Sequence, residues 1–349
     1  MDTGNQKYKL VALAVLSAFL FGISTPFAKM LVGNIAPVAL AGLLYLGAFA
    51  GLSAYSLLFP SRKETPLERK DLPWLAGATL AGGVIAPISM LSGLALVSGF
   101  SASLLLNLEA VATAIIAVFL FRENAGKRLW LALACMTAAA IFITWDSSQG
   151  SFSPAGPLLI IFAMACWGLD NNLTRSISGK DAVQIARIKG LVAGAVSLSF
   201  AFILGLGLPP IAAVASALLL GAFSYGISLV LFIRALDGLG AFRTSALFGI
   251  SPFIGAVASL LILGEPTGWF LLFAASLMIA GMWLMMTEKH FHAHRHERIT
   301  HMHPHVHGDG HHAHFHSGLV QEPHAHEHTH PALAHAHAHW PDSHHRHGH

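Results

Sequence analysis

Charge is scarce in this chain. Asp, Glu, Lys and Arg make up 11% of its 349 residues, against 54% apolar ones, whereas a soluble globular domain carries about a quarter charged residues. That shortage excludes an ordinary soluble protein and leaves a membrane protein. Cysteine is scarcer still. Cys135 and Cys166 both lie inside apolar runs, supply no disulfide framework or metal-ligand spacing, and read as small core residues. Histidine is missing from the first 289 residues, although 23 follow them. No nucleophile–base constellation, phosphate loop or dinucleotide fingerprint occurs, which leaves enzymatic function and nucleic-acid partners without support. A cleavable leader is missing too. Lys7 and Lys9 precede an apolar run of about 22 residues with no small-residue cleavage site, so this segment is expected to stay as a helix.

What is present divides near residue 287. Before it stand 16 Lys/Arg and 11 Asp/Glu, and after it 4 and 6 with all the histidines. The first part holds ten apolar runs of the length that crosses about 30 Å of hydrocarbon at about 1.5 Å per residue. They are 10–31, 36–59, 74–97, 102–121, 129–145, 158–173, 188–206, 211–233, 244–263 and 270–286. Basic residues crowd alternate connections: Lys7 and Lys9; Arg62, Lys63, Arg69 and Lys70; Arg122, Lys127 and Arg128; Arg175, Lys180, Arg187 and Lys189; Arg234 and Arg243; and the tail. Only Lys29 falls on the other side. The positive-inside rule then predicts a multi-pass protein of the plasma (inner) membrane with both termini cytoplasmic.

One long stretch recurs. Residues 99–139 match 241–281 without gaps at a shift of 142, pairing Phe100 with Phe242, Ser103 with Ser245, Glu123 with Glu265, Gly126 with Gly268, Met136 with Met278 and Ala138 with Ala280. A weaker match at a shift of 146 aligns Gly22 with Gly168 and Lys29 with Arg175. Five helices in each half force the second half to enter the membrane inverted, so the duplication predicts an inverted repeat. The expected fold is an all-α integral membrane protein of ten transmembrane helices, with repeats at 9–145 and 155–287 and a disordered cytoplasmic tail at 288–349.

Ten helices in two halves, the Phe21–Gly22 and Trp167–Gly168 pairs in the first helix of each, and the Glu-x-x-Gly turn after each fourth helix resemble the EamA-type transporters of the drug/metabolite transporter superfamily. The resemblance spans about residues 9 to 287. It implies a secondary transporter, commonly an exporter of amino acids or other small metabolites, with a central cavity between the halves. Such motifs identify a fold better than a cargo.

Six polar residues inside apolar runs are the candidates for a substrate or proton pathway. Glu109 stands in the fourth run where the copy has Ser251. An acid at that depth either faces a cavity or is satisfied by packing, protonated or paired with Lys29; proton coupling is the preferred reading. Asn107 lies two residues away and points elsewhere. Asp170, Asn171 and Asn172 form the densest polar cluster, which is either a cap at the cytoplasmic surface or part of a continuing helix. In the second case Ser24 and Thr25 would face Asp170 across the pseudo-twofold. Pro26, Pro87 and Pro252 each remove a helical amide and free a carbonyl. Gly47 and Gly51, and Gly190 and Gly194, are G-x-x-x-G pairs that permit packing within the bundle, the preferred reading, or a homodimer. Glu123 and Glu265 read as structural turn or cap carboxylates.

The tail alternates histidine with other residues. The candidate metal ligands are His290, His292, His294 and His296; His301, His303, His305 and His307; His324, His326, His328 and His330; and His335, His337 and His339. Imidazoles at this spacing suit Zn, Ni, Co or Cu without selecting among them, and titrate near pH ~6.5. No cofactor is required. Three functions compete: a proton-coupled exporter of a small metabolite with a metal-binding regulatory tail, which is favoured; a divalent-metal transporter fed by the tail; and a metal-buffering membrane protein that does not transport. The lack of histidine in the membrane body counts against metal as cargo.

Overall fold

The computed structural model describes residues 3–58, 65–120, 126–145, 154–177, 179–239, 244, 247–265, 268–286, 290–296, 299–305, 324–330 and 333–339. Glu123, Phe242, Ser245 and His307 lie outside these. The chain forms two units, Met1–Glu288 and Lys289–His349.

The first unit is helical. The opening helix α1 (Thr3–Gly22) continues as α2 (Ser24–Val32), and the join falls at Gly22–Ile23, where the ring of Pro26 would crowd the carbonyl four residues back. Then come α3 (Pro37–Leu58), α4 (Leu72–Ala78) and α5 (Ala86–Leu96). The last two are halves of one rod joined by a π turn, Thr79–Ile85. Short α6 (Gly99–Leu105) leads into α7 (Leu108–Phe119). Between them the coil tightens to i→i+3 bonds: Asn107 N to Leu104 O at 3.1 Å, and Glu109 N to Leu106 O at 3.1 Å. Next are α8 (Lys127–Trp145), α9 (Ala155–Arg175) and α10 (Ala182–Ile203), the last capped by Asp181, whose Oδ1 accepts from Val183 N and Gln184 N. α11 (Ile211–Leu220) and α12 (Ser228–Leu239) share a second π turn, Gly221–Ile227. α13 (Ser251–Leu263) and α14 (Trp269–Met286) complete the unit.

Among the described residues, six helical stretches are long and apolar enough to cross a membrane: Tyr8–Val32, Pro37–Leu58, Arg69–Leu96, Gly99–Ile116, Ala182–Ile203 and Ile211–Ala235. The apolar helices Ser251–Leu263 and Trp269–Leu284 are shorter. Large apolar side chains are left exposed around the unit, Leu208 at 98% and Phe202 at 85% among them, a burden in water and no cost in lipid.

Two of the sequence expectations are corrected. The seventh apolar run was placed at 188–206, with Lys189 in a connection; α10 starts at Ala182 and carries Lys189 into the bundle, 6% exposed. Asp181 explains the earlier start, because its cap satisfies two first-turn amides ahead of the apolar run. Asp170–Asn172 lie inside α9, which runs through to Arg175, so they cap no helix end.

Glycines let the helices meet at backbone distance. α3 packs on α10 and on the α11–α12 rod. A Cβ on Gly47 would stand 2.2 Å from Leu218 O, one on Gly221 2.0 Å from Leu44 O, and one on Gly190 2.9 Å from Tyr45 O. Both G-x-x-x-G pairs are therefore used for packing inside the bundle. Beyond the helices, the connection before α4 meets the one before α10: Asp181 N donates to Thr65 O at 2.8 Å and Leu67 N to Gln184 Oε1 at 2.9 Å. Hydrogen bonds from Lys180 and Lys70 hold the Glu68 carboxyl down at about 2.

The second unit contains four strands, β1 (His290–His296), β2 (Ile299–His305), β3 (His324–His330) and β4 (Leu333–His339). β1 pairs antiparallel with β4, and β2 with β3. Alternation with period two is the strand period.

Candidate functional site

Three consecutive residues of α9 build the centre of the bundle, because successive side chains on a helix diverge by about 100° and so reach three neighbours. Asp170 turns to α10. Its carboxylate accepts from Lys189 Nζ at 2.6 Å and 2.7 Å, and from Thr174 Oγ1, one turn on, at 2.8 Å. The pair is sealed, with Asp170 7% and Lys189 6% exposed. Asn171 turns to α7, where its Nδ2 donates to Glu109 Oε1 at 2.7 Å and to Thr113 Oγ1 at 3.2 Å. Asn172 Nδ2 donates to Gly168 O at 2.8 Å and Thr113 O at 3.2 Å, pinning α9 to α7.

The two acids therefore occupy different surroundings. Glu109 is half-buried and Asn171 exposed, so their hydrogen bond borders space outside the packed protein, whereas the Asp170–Lys189 pair does not. Glu109 is within electrostatic reach of Asp170 and Lys189. The pairing of Glu109 with Lys29 does not occur. Lys29 Nζ donates instead to Leu94 O at 2.7 Å and Val97 O at 2.6 Å, where a cation complements the carbonyl end of α5.

The π turn adds a third polar group. Ala86 N donates to Ala81 O, five residues back, and the next residue, Pro87, has no amide, so neither register can fill Gly82 O. Two side chains do: Tyr45 Oη at 2.8 Å and Trp167 Nε1 at 2.9 Å. Gly82 also lies against the ion pair, since a Cβ there would stand 1.9 Å from Asp170 Oδ2. The Phe21 ring meets Trp167 at 6.2 Å and Tyr225 at 5.8 Å between centroids, and Tyr45 meets Tyr225 at 5.7 Å. The aromatic members of the two helix-opening pairs, Phe21 and Trp167, thus meet face to edge.

The other candidates line α2 and the break before α7. Ser24 Oγ donates to Phe21 O at 2.6 Å, and Asn107 Nδ2 to Leu104 O at 3.0 Å. Among the described residues no hydrogen bond joins Ser24 or Thr25 to Asp170. Thr25 Oγ1, Ser103 Oγ, Asn107 Oδ1 and Ser251 Oγ are buried without a protein partner there, the condition of groups left for water or cargo to satisfy. Sequence reasoning reached Glu109, Asp170 and Asn171 but missed Lys189, Tyr45 and Gly82. The available signal was the Asp170–Lys189 charge complement, which counting Lys189 among the loop residues concealed.

A bundle of long apolar helices with charged and hydrogen-bonded side chains inside defines a multi-pass membrane protein. Residues 9–145 and 154–287 each match the EamA-like transporter family, and the chain belongs to that family. It is similar to an uncharacterized transporter of Methanothermobacter thermautotrophicus (strain Delta H), 28% identical over 291 residues that span 78% of this chain and 84% of that protein. A crystal structure 18% identical to it, covering 79% of this chain and 98% of that one, aligns with a TM-score of 0.58, which is a likeness of fold.

Proposed function

We propose that the protein is a secondary transporter of ten membrane helices in two inverted five-helix repeats, 9–145 and 155–287. It exports a small metabolite by alternating access in exchange for protons, from a plasma membrane whose inner side holds both termini. The observation that carries this reading is the Asn171–Glu109 hydrogen bond. It places an accessible carboxylate of the first half against a helix of the second, one residue from the sealed Asp170–Lys189 pair. A carboxylate so placed can take a proton from one side, and losing its charge alters the field at the neighbouring ion pair. The test is Glu109→Gln, assayed in inverted vesicles with a cargo found by growth screening. Exchange driven by a pH gradient should fall to the level of a neutral control, while unchanged pH dependence would reject the coupling role.

The tail is proposed as a metal-binding regulator. Each ladder sets histidine opposite histidine at three register positions: 290/339, 292/337 and 294/335 in one, and 301/328, 303/326 and 305/324 in the other. Imidazole in its neutral form suits Zn, Ni, Co or Cu. Metal as cargo has less support: among the described residues, no three His, Cys, Asp or Glu side chains gather to hold an ion. Removing residues 288–349 should abolish equilibrium binding of these ions to the purified protein and leave part of the cargo flux. A complete loss of flux would favour the metal-transporter reading.

A further inference from the structure

One polar device at the end of the bundle takes no part in that reading. The carboxylate of Glu265, in the second half, accepts from two successive amides of the first: Gly99 N to Oε1 at 2.8 Å and Phe100 N to Oε2 at 2.9 Å. Both are first-turn amides of α6, which have no carbonyl of their own helix to bond. Just upstream, Lys29 Nζ takes the last carbonyls of α5. The short connection from Val97 to Gly99 is thus held between an anion from one half and a cation from the first helix. Gly264, at φ 62°, makes the left-handed turn that ends α13 and delivers Glu265, a conformation that favours glycine. The surfaces behind the contact are flush, for a Cβ on Gly99 would lie 2.8 Å from Ser259 Oγ.

We infer that Glu265 forms the latch of this end of the transport path, a positioning residue that must release the Gly99–Phe100 amides before the end can open. The inference rests on the alternating-access reading. A cap formed within one half would travel with it, but this cap joins the halves and breaks when one rocks against the other. The sequence shift of 142 puts Glu123 where Glu265 stands, so each half carries a carboxylate at the turn after its fourth helix.

Cysteine accessibility tests the latch without knowledge of the cargo. Thr25 is buried, 1% exposed, and lies four residues before Lys29, about one turn deeper on the same side of the helix. The parent protein carries Cys135→Ala, Cys166→Ala and Thr25→Cys in the full-length chain, reconstituted in vesicles. A membrane-impermeant maleimide is added on the side that carries Gly99. Glu265→Gln should raise the labelling rate by about tenfold or more, the factor expected when a charge-assisted hydrogen bond is lost from the closed state alone, whereas Lys29→Met, whose partners Leu94 O and Val97 O lie in its own half, should leave it near the parental value. Glu265→Asp, which keeps the charge at shorter reach, should fall between. Rates are read on monodisperse protein only. Parental rates in both Glu265 variants would overturn the latch, even if Glu109→Gln abolishes coupling; raised rates would uphold it even if Glu109 proves uncoupled.

Discussion

Lys189→Met is expected to destabilise the bundle by about 3–5 kcal/mol, the range for removing one partner of a buried ion pair. Thermal unfolding in detergent should show it as a large fall in midpoint. The reason is the sealing of the site. Asp170 keeps only the Thr174 hydroxyl once the ammonium is gone, and at 7% exposure its burial leaves the lost contacts of 2.6 and 2.7 Å uncompensated. Asp170→Asn should cost a comparable amount by orphaning Lys189. The double variant Asp170→Asn with Lys189→Met restores neutrality and should recover most of the midpoint, because a neutral pair of similar volume avoids the desolvation that the charges incur. If the pair also serves the transport cycle, the recovered protein remains defective in exchange. Normal exchange by the double variant would limit the pair to a structural role.

Gly82→Ala should strongly disrupt the site. The added carbon would stand 1.9 Å from Asp170 Oδ2, 2.3 Å from Cγ and 2.5 Å from Cβ, all below any contact that side chains tolerate. Either Asp170 leaves Lys189 or the π turn shifts and withdraws the carbonyl that Tyr45 and Trp167 share. Overpacking of this kind costs about 1–3 kcal/mol by itself, and disturbance of the ion pair adds to it. A double-mutant cycle with Asp170→Ala isolates the second part. That change removes the carboxylate but keeps the Cβ at 2.5 Å, so the coupling should be large and the rescue incomplete. Strict additivity of the two midpoint shifts would show that Gly82 and Asp170 do not meet.

Much of the architecture was legible in the sequence because lipid imposes it. Apolar runs must be long, and backbone groups must bond within their own segment, so α1 to α3, α11 and α12 fall close to where hydropathy puts them. The join at Gly22 follows from Pro26, and the tight packing at Gly47 and Gly190 from their spacing. Lys189 was not legible. A lysine near a helix end is read as a loop charge, and only the tertiary position of Asp170 reveals that it turns inward. Pro87 announced a freed carbonyl but could not say that Tyr45 and Trp167, 37 and 85 residues from Gly82 in sequence, would take it. Glu265 was legible as a cap, though not as a cap on the other half, since no local pattern records which helix a loop carboxylate will reach. In the tail the alternation was plain.

The two π turns bear on the history of the chain. Thr79–Ile85 and Gly221–Ile227 begin 142 residues apart, the shift that relates the duplicated stretch. Each turn accommodates one residue more than an α-helix would, and such an insertion, made independently in each half, would have no reason to fall at matching places. On the two-repeat reading proposed above, the simplest chronology puts the insertion in a single five-helix ancestor, before the gene doubled. On that account the wound turn is older than the two-halved protein. The two positions now differ: Gly82 lies bare against the Asp170–Lys189 pair, and Ser224 stands at the corresponding place.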